Sequence, residues 1–88
     1  SVITYQLVKS ATSTGANYRA ACRARSKKEF FSKICIVVEE ADESAYWLEL
    51  IKESGLSNNA KYLEILRKEA IEIKKIFGKA KNSIYTSQ

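Results

Sequence analysis

The sequence contains no histidine and no proline, and only three of its 88 residues are glycine. Histidine is the usual general base of enzymes, and di-iron helical bundles need its nitrogen ligands. No glycine-rich phosphate loop of the P-loop or Rossmann type is present. We therefore expect a protein that is not an enzyme, with no cofactor and no metal site.

The absence of proline favours long, uninterrupted helices over sheets and turns. No run of about 18 apolar residues and no signal-peptide pattern is visible, so we expect a cytoplasmic protein with no membrane partner. Cys22 and Cys35 lie among apolar residues on predicted helices, and we expect both to be buried, reduced thiols. Residues 1–88 are short enough to form one domain.

Acidic residues are absent from the first 28 residues, which carry six basic ones. Residues 29–56 carry two bases and seven acids, and residues 57–88 carry seven bases and three acids. The net charge of the protein is +5. This uneven distribution predicts charge matching between segments, with positive charge left over for a partner.

Hydrophobic periodicity predicts three helices, over about 2–24, 27–54 and 58–84. The first has small or apolar residues at steps of three and four, and we interpret its Gly15 as a close helix–helix crossing or a local bend. The second helix starts after Ser26 in an S-x-x-E capping box, in which Glu29 can reach back to the amide of Ser26. The predicted packing face of the first helix is Val8, Ala11, Gly15, Tyr18 and Cys22.

Heptad-like seams follow the second and third helices. Gly55 and Leu56 are typical of a helix C-terminus, and Ser57 or Asn58 is the predicted cap of the third helix. The short connection predicts antiparallel neighbours. The apolar faces are wider than one partner covers, so a fourth helix or identical subunits could cover the rest. The second seam is Phe30, Ile34, Val37, Ala41, Ser44, Leu48 and Ile51, and the third is Leu63, Leu66, Ala70, Ile73, Phe77, Ala80 and Ile84.

Two segments carry a family resemblance. S-A-T-S-T-G-A-N-Y-R-A-A-C-R-A-R-S, from Ser10 to Ser26, resembles the signature R/S-A-x-S-x-G/P-A-N-x-x-E-A-x-x-x-x-S of the bacterial 23S rRNA intervening-sequence protein family. E-A-D-E-S-A-Y-W-L-E-L, from Glu40 to Leu50, is similar to the family's other marked segment. With the helix order, the resemblance spans nearly the whole sequence.

The resemblance implies an all-α fold, an antiparallel four-helix bundle whose first helix is missing or truncated here, and assembly into a ring-shaped homopentamer. A related branch comprises the accessory variability determinant proteins of diversity-generating retroelements, which are basic pentamers that associate with nucleic acid and a reverse transcriptase. This sequence departs from the family pattern at two positions. Ala20 replaces the usual glutamate and Arg25 stands where an acid is common, and both changes raise the positive charge.

The basic residues are the candidate nucleic-acid-binding site. Arg19, Arg23 and Lys27 are spaced four apart, as a row of phosphate-binding side chains on one helix face would be. The alternative is that cations at a helix C-terminus complement its dipole, or that Arg19 and Arg23 pair with acids of the second helix or of a neighbouring subunit. The candidate residues are Arg19, Arg23, Arg25, Lys27, Lys28, Lys75 and Lys79.

Four residues of the second helix are the candidate oligomer interface. Glu39 and Glu43 are spaced like the carboxylates of metal bundles, but without histidine we expect them to pair with arginine instead. Tyr46 and Trp47 lie off the seam, and amphipathic aromatics are enriched at interfaces. The sequence thus predicts a non-enzymatic oligomeric scaffold that binds RNA or DNA non-specifically through a basic surface. The alternative is a protein–protein assembly module with no nucleic-acid role.

Overall fold

The computed structural model describes residues 1–55 and 58–86, without the side chain of Tyr85. These residues form three α-helices and no strand: α1 (Val2–Cys22), α2 (Lys27–Ser54) and α3 (Ala60–Thr86). The all-helical prediction is confirmed. The predicted ends of α1 and α3 are corrected by about two residues, because Arg23 already has non-helical backbone angles and Asn59 caps α3.

Local capping sets the helix boundaries. The Ser26 hydroxyl accepts a hydrogen bond from the amide of Glu29 at 3.0 Å, so α2 begins as predicted. The Glu29 carboxylate, however, accepts from the amide of Arg25 at 3.4 Å rather than from that of Ser26. Gly55 ends α2 with a left-handed φ of 69°. The predicted partner Leu56 and the predicted cap Ser57 lie outside the described residues.

Asn59 is the cap of α3 instead of Asn58. Its side-chain oxygen accepts a hydrogen bond from the amide of Tyr62 at 3.0 Å. This contact satisfies one of the amides that a helix N-terminus leaves without an intrahelical partner.

Helix α2 is the centre of the fold. It packs against both α1 and α3, whereas the Cα atoms of α1 and α3 stay more than 8 Å from each other in the described part of the chain. Complete burial of a Val or Ile side chain contributes about 1.5–3 kcal/mol, so this seam supplies much of the folding energy. The buried residues of α2 follow the predicted seam and are Ile34, Val37, Ala41, Ser44 and Leu48.

A buried pair of hydroxyls joins α1 to α2. The Oγ atoms of Ser10 and Ser44 lie 2.9 Å apart, and the two residues are only 1% and 7% exposed. Sliding α1 along α2 would break this hydrogen bond between the helices, which contributes about 0.5–1.5 kcal/mol, although each hydroxyl also lies within hydrogen-bond distance of a carbonyl of its own helix, Leu7 or Glu40. The pair therefore helps to fix the register of the two helices.

The contacts between α2 and α3 run in opposite order along the two helices. Lys52, near the end of α2, pairs with Glu64 at 3.4 Å, while Lys74 pairs with Asp42 at 3.0 Å. The rings of Tyr18 and Phe77 meet with centroids 5.4 Å apart. The end of α1, the start of α2 and the C-terminal part of α3 therefore lie at the same end of the molecule, whose longest extent is 45 Å.

Arg67 makes a bidentate contact with Glu64, at the end of the molecule opposite the start of α2. Its Nη2 and Nε atoms donate to the two carboxylate oxygens at 2.7 and 3.0 Å. These hydrogen bonds from Arg67, followed by the positive charges of Arg67 and Lys52, lower the pKa of Glu64 to about 2. Because Lys52 belongs to α2, the carboxylate also bridges α2 and α3.

Acidification should therefore weaken the fold through Glu64. Its pKa is lower in the folded than in the unfolded protein, so its contribution is complete above about pH 4.5 and is lost as the pH falls towards 2. We expect Glu64→Gln to lower the melting temperature at pH 7 and to narrow its difference from wild type as the pH falls. Glu53→Gln, at an exposed position with no ion pair in the described part of the chain, is the matched control. A constant difference between Glu64→Gln and wild type from pH 7 to about pH 2 would contradict the assignment.

Two further observations bear on the sequence predictions. Cys22 is exposed and Cys35 is half-buried, so the prediction of a buried thiol is wrong for Cys22. It lies at the last residue of α1, on the side that α2 does not cover. Among the described residues, no helix combines the length and apolarity required to cross a membrane.

Candidate nucleic-acid interface

The fold gathers basic residues from two distant parts of the sequence at one end of the molecule. We call residues 19–33 and 75–86 the basic end. They carry a single acid, Glu29, and a net charge of +8, whereas the rest of the sequence has a net charge of −3. The nine bases are Arg19, Arg23, Arg25, Lys27, Lys28, Lys33, Lys75, Lys79 and Lys81.

All seven predicted binding residues belong to the basic end, and all seven are exposed. None of them forms an ion pair with another described residue. Pairing of Arg19 or Arg23 with acids of α2 in the same chain is therefore not part of this structure, and pairing between subunits stays a prediction. Lys33, which was not among the predicted residues, is half-buried and follows Lys28 by five positions on α2.

Helix dipoles account for only part of this charge. Arg19 lies in the last turn of α1 and Arg23 caps it, so both complement the negative end of the α1 dipole. Lys27 and Lys28 lie in the first turn of α2, where the positive end of the dipole disfavours them. The last turn of α3 contains no base, so Lys75 and the other α3 lysines lie before the region that the dipole stabilises. The basic end thus concentrates positive charge beyond what local helix stability explains.

Tyr18 lies between the basic end and the body of the protein. Its side chain is 45% exposed, and its ring is edge-on to that of Phe77. A hydrogen bond with Cys22 raises the pKa of the Tyr18 hydroxyl.

An apolar groove of about 270 Å³ opens between α1 and α3, with α2 as its floor. Ile73 in its lining is 38% exposed, and Thr14, Ser44 and Glu69 contribute polar atoms at its walls. A mostly apolar groove bordered by two helices is the place where a further apolar helix face could pack. Each helix contributes to the lining, which includes Leu7 and Ala11 from α1, Ala41 and Leu48 from α2, and Leu66 and Ile73 from α3.

The groove explains why the predicted packing face of α1 is wrong. All five of its residues are exposed, and α1 packs on α2 through another face, in which Ser10 and Ala21 are buried. A Cβ added at Gly15 would meet nothing within 4 Å, so no close helix crossing is made there by the described residues. The predicted face of α1 is turned away from α2, because α1 packs against α2 through the face that contains Ser10.

The predicted interface residues lie on the outer surface of α2. Tyr46 is 54% exposed and packs edge-on against Trp47, with ring centroids 5.0 Å apart. The Trp47 indole N–H donates to Oε1 of Glu43 at 3.1 Å, a contact that their spacing of four residues permits. Glu39 is exposed one turn earlier, and no group of three potential metal-ligating side chains forms among the residues described here.

Comparison with known proteins gives a family match and matches among the solved structures. Residues 1–79 match the family described as 23S rRNA-intervening sequence protein. A solved protein of unknown function from the S23 ribosomal protein family of Bacteroides thetaiotaomicron is 33% identical and superimposes with a TM-score of 0.84. The match covers 92% of this chain and 74% of that protein. No curated protein matches. The chain belongs to the 23S rRNA-intervening sequence protein family.

Proposed function

We propose that the protein is a non-enzymatic scaffold that binds RNA or DNA through its basic end. The observation that carries this proposal is that arginine and lysine side chains from α1, α2 and α3, none of the seven predicted ones in an ion pair with a described residue, come together at one end of the molecule. A polyanion releases condensed counterions when several lysine and arginine side chains neutralise its phosphates together, and this release drives binding. Basic side chains distributed over one end of the protein can reach several phosphates of one strand or duplex.

Binding through the basic end would be indifferent to sequence. Contacts from lysine and arginine to phosphates position a protein on nucleic acid but read no bases. Seven of the nine lysines and arginines of the basic end are exposed, and their long side chains adapt to different phosphate positions. We therefore assign the site to the phosphate backbone and not to a base sequence.

The apolar groove supports a second part of the proposal. We propose that a further helix fills it, which completes an antiparallel four-helix bundle, and that the completed bundles assemble into a homo-oligomer, a pentamer as the family resemblance implies. Ile73 on α3 and Ala11 on α1 are exposed residues of the groove lining that such a helix would cover. A reverse transcriptase partner stays a prediction of the resemblance.

The outer surface of α2 favours a second candidate function, a protein–protein assembly module. Tyr46 presents more than half of its side chain to solvent beside Trp47, and the acids Glu39 and Glu43 lie close by in sequence. Under this alternative, the acids would pair with arginines of a neighbouring subunit. The basic end would then serve assembly and bind no nucleic acid.

Salt dependence tests the proposed function. We expect the affinity for a labelled mixed-sequence duplex, measured by fluorescence anisotropy, to fall steeply between about 50 and about 200 mM salt. Six to nine phosphate contacts predict a slope of log K against log salt of about −5 to −8. A flat response, or no binding to duplex or single strand at low salt, would contradict the proposal.

A further inference from the structure

We propose that the outer surface of α2 is a docking site for an arginine-bearing amphipathic helix of a partner protein. This inference goes beyond the proposed function, because it concerns a surface that lies outside the basic end. Three features of the structure support it: unpaired acids, an aromatic pair that they border, and a recess beside that pair. We call this surface the acidic face, and its residues are Glu39, Asp42, Glu43, Tyr46, Glu49 and Glu53.

The acidic face carries more negative charge than the described part of the chain neutralises. Its six residues are all exposed, and their steps of three and four place them on one side of α2 over about 21 Å. Residues 34–51 of α2 carry five acids and no basic residue. Of the five carboxylates of the acidic face, only that of Asp42 forms an ion pair with another described residue, Lys74. The acidic face is therefore electrostatically complementary to a basic partner.

Local helix stability does not explain these acids. Glu39 and Glu43 lie four residues apart, as do Glu49 and Glu53, and like charges at this spacing destabilise a helix. Glu53 also lies in the last turn of α2, where the negative end of the helix dipole disfavours it. A partner that brings positive charge would relieve both effects.

An aromatic pair lies among these carboxylates. Tyr46 is 54% exposed and is edge-on to Trp47, whose indole N–H donates to Glu43 at 3.1 Å. An arginine guanidinium stacks on aromatic rings and forms two parallel hydrogen bonds with a carboxylate, so it suits this surface better than a lysine ammonium does. Tyrosine, tryptophan and arginine are also the residues that most often dominate the binding energy of protein interfaces. The aromatic pair with its acidic border therefore fits a helix whose apolar strip is bordered by arginines.

A recess of about 280 Å³ opens between α2 and α3 beside the aromatic pair. The two basic residues in its lining already have carboxylate partners, in the Arg67–Glu64 and Lys74–Asp42 pairs. Glu49 is therefore the one charged residue of the lining without an ion pair to a described residue. An arginine side chain that enters the recess would meet this carboxylate.

A different protein suits the acidic face better than a second copy of this chain. The exposed arginines of the described chain all belong to the basic end, and they are Arg19, Arg23 and Arg25. The remaining arginine, Arg67, is half-buried and bound to Glu64. Under the proposed function nucleic acid occupies the basic end, so an arginine of a second copy could reach the acidic face only by leaving the nucleic acid. This step alone rests on the proposed function.

Peptide binding tests the inference. The probe is a labelled helical peptide of about 18 residues, about 27 Å long, with leucine along one face and arginine along both borders. Its affinity is measured by fluorescence anisotropy in the absence of nucleic acid. The variant that combines Glu39→Gln, Tyr46→Ala and Glu49→Gln should bind the peptide at least about tenfold more weakly than wild type. A version of the peptide with lysine in place of arginine should bind wild type more weakly than the arginine version does.

The matched control combines Tyr62→Ala, Glu69→Gln and Glu72→Gln on α3. These residues are also exposed, and both variants raise the net charge by two, from +5 to +7. The control should lose less than about threefold in peptide affinity. Because Glu69 lines the apolar groove, a loss in the control as large as in the first variant, or larger, would place the peptide elsewhere and overturn the inference.

Three further results would overturn the inference: no peptide binding at about 1 mM, equal binding of the lysine and arginine peptides, or a molar mass of the first variant below that of wild type in light scattering. The last result would show that a second copy occupies the acidic face. Nucleic-acid binding without peptide binding would remove this inference and leave the proposed function intact. Peptide binding without nucleic-acid binding would do the reverse.

Discussion

Replacing Arg25, Lys28 and Lys79 with glutamate should weaken duplex binding on the order of a hundredfold or more at about 0.1 M salt. These exposed residues come from the α1–α2 connection, from α2 and from α3, so the variant tests whether the three segments form one binding surface. None of the three side chains forms an ion pair with another described residue, and a glutamate at position 28 favours the start of α2. The fold should therefore be retained, and fluorescence anisotropy measures the loss.

The matched control replaces Lys9, Lys61 and Lys68 with glutamate. These lysines are also exposed, and they lie outside the basic end. Three charge reversals lower the net charge from +5 by six, to −1, in both variants. The control should lose less than about tenfold in affinity, because long-range attraction is screened within about 10 Å at this salt concentration. Equal losses in the two variants would show that net charge alone governs binding.

Light scattering on the same two variants separates nucleic-acid binding from the assembly alternative. If the basic end binds nucleic acid, the variant of Arg25, Lys28 and Lys79 keeps the molar mass of the wild-type protein. A fall in mass, together with unchanged nucleic-acid affinity, would show that these charges join subunits.

Replacing Ala11 with glutamate should destabilise the assembled protein by about 2 kcal/mol or more. Ala11 lines the apolar groove between α1 and α3, and it is exposed among the residues that the structure describes. If a further helix fills the groove, as we propose, the new carboxylate is buried there without a partner. Urea denaturation measures the change as a shift of the unfolding midpoint.

Ala16→Glu is the control for the groove. Ala16 is also an exposed alanine of α1, but it does not line the groove, so this change should stay within about 0.5 kcal/mol of wild type. Both residues lie within α1, so the cost of replacing alanine with glutamate in a helix is the same in the two variants and does not affect their difference. Near-neutral results for both variants would show that the groove is open to water and would contradict the fourth helix.

Features set by neighbouring residues could be predicted from the sequence. The start of α2 depends on Ser26 and Glu29. Its end depends on Gly55, which adopts a left-handed backbone conformation. Each needs only a few adjacent residues, which the sequence displays directly. The buried seam of α2 was predictable for a related reason, since its apolar spacing is regular from Ile34 to Leu48.

Features set by distant residues could not be predicted in the same way. The face of α1 that packs on α2 contains Ser10, and its burial makes sense only once Ser44 lies opposite. The sequence shows two basic clusters, around residues 19–28 and 74–81, as separate features. Only the course of α3 back along α2, seen in the Lys74–Asp42 pair, brings the second cluster to the end of α1.

The most direct test of the central claim is the salt slope of duplex binding for three proteins: wild type, the variant of Arg25, Lys28 and Lys79, and the control variant of Lys9, Lys61 and Lys68. Each lost phosphate contact reduces the slope by about one, so the first variant should be shallower than wild type by about three. The control should keep the wild-type slope. Three equal slopes would contradict the claim that the basic end holds the phosphates.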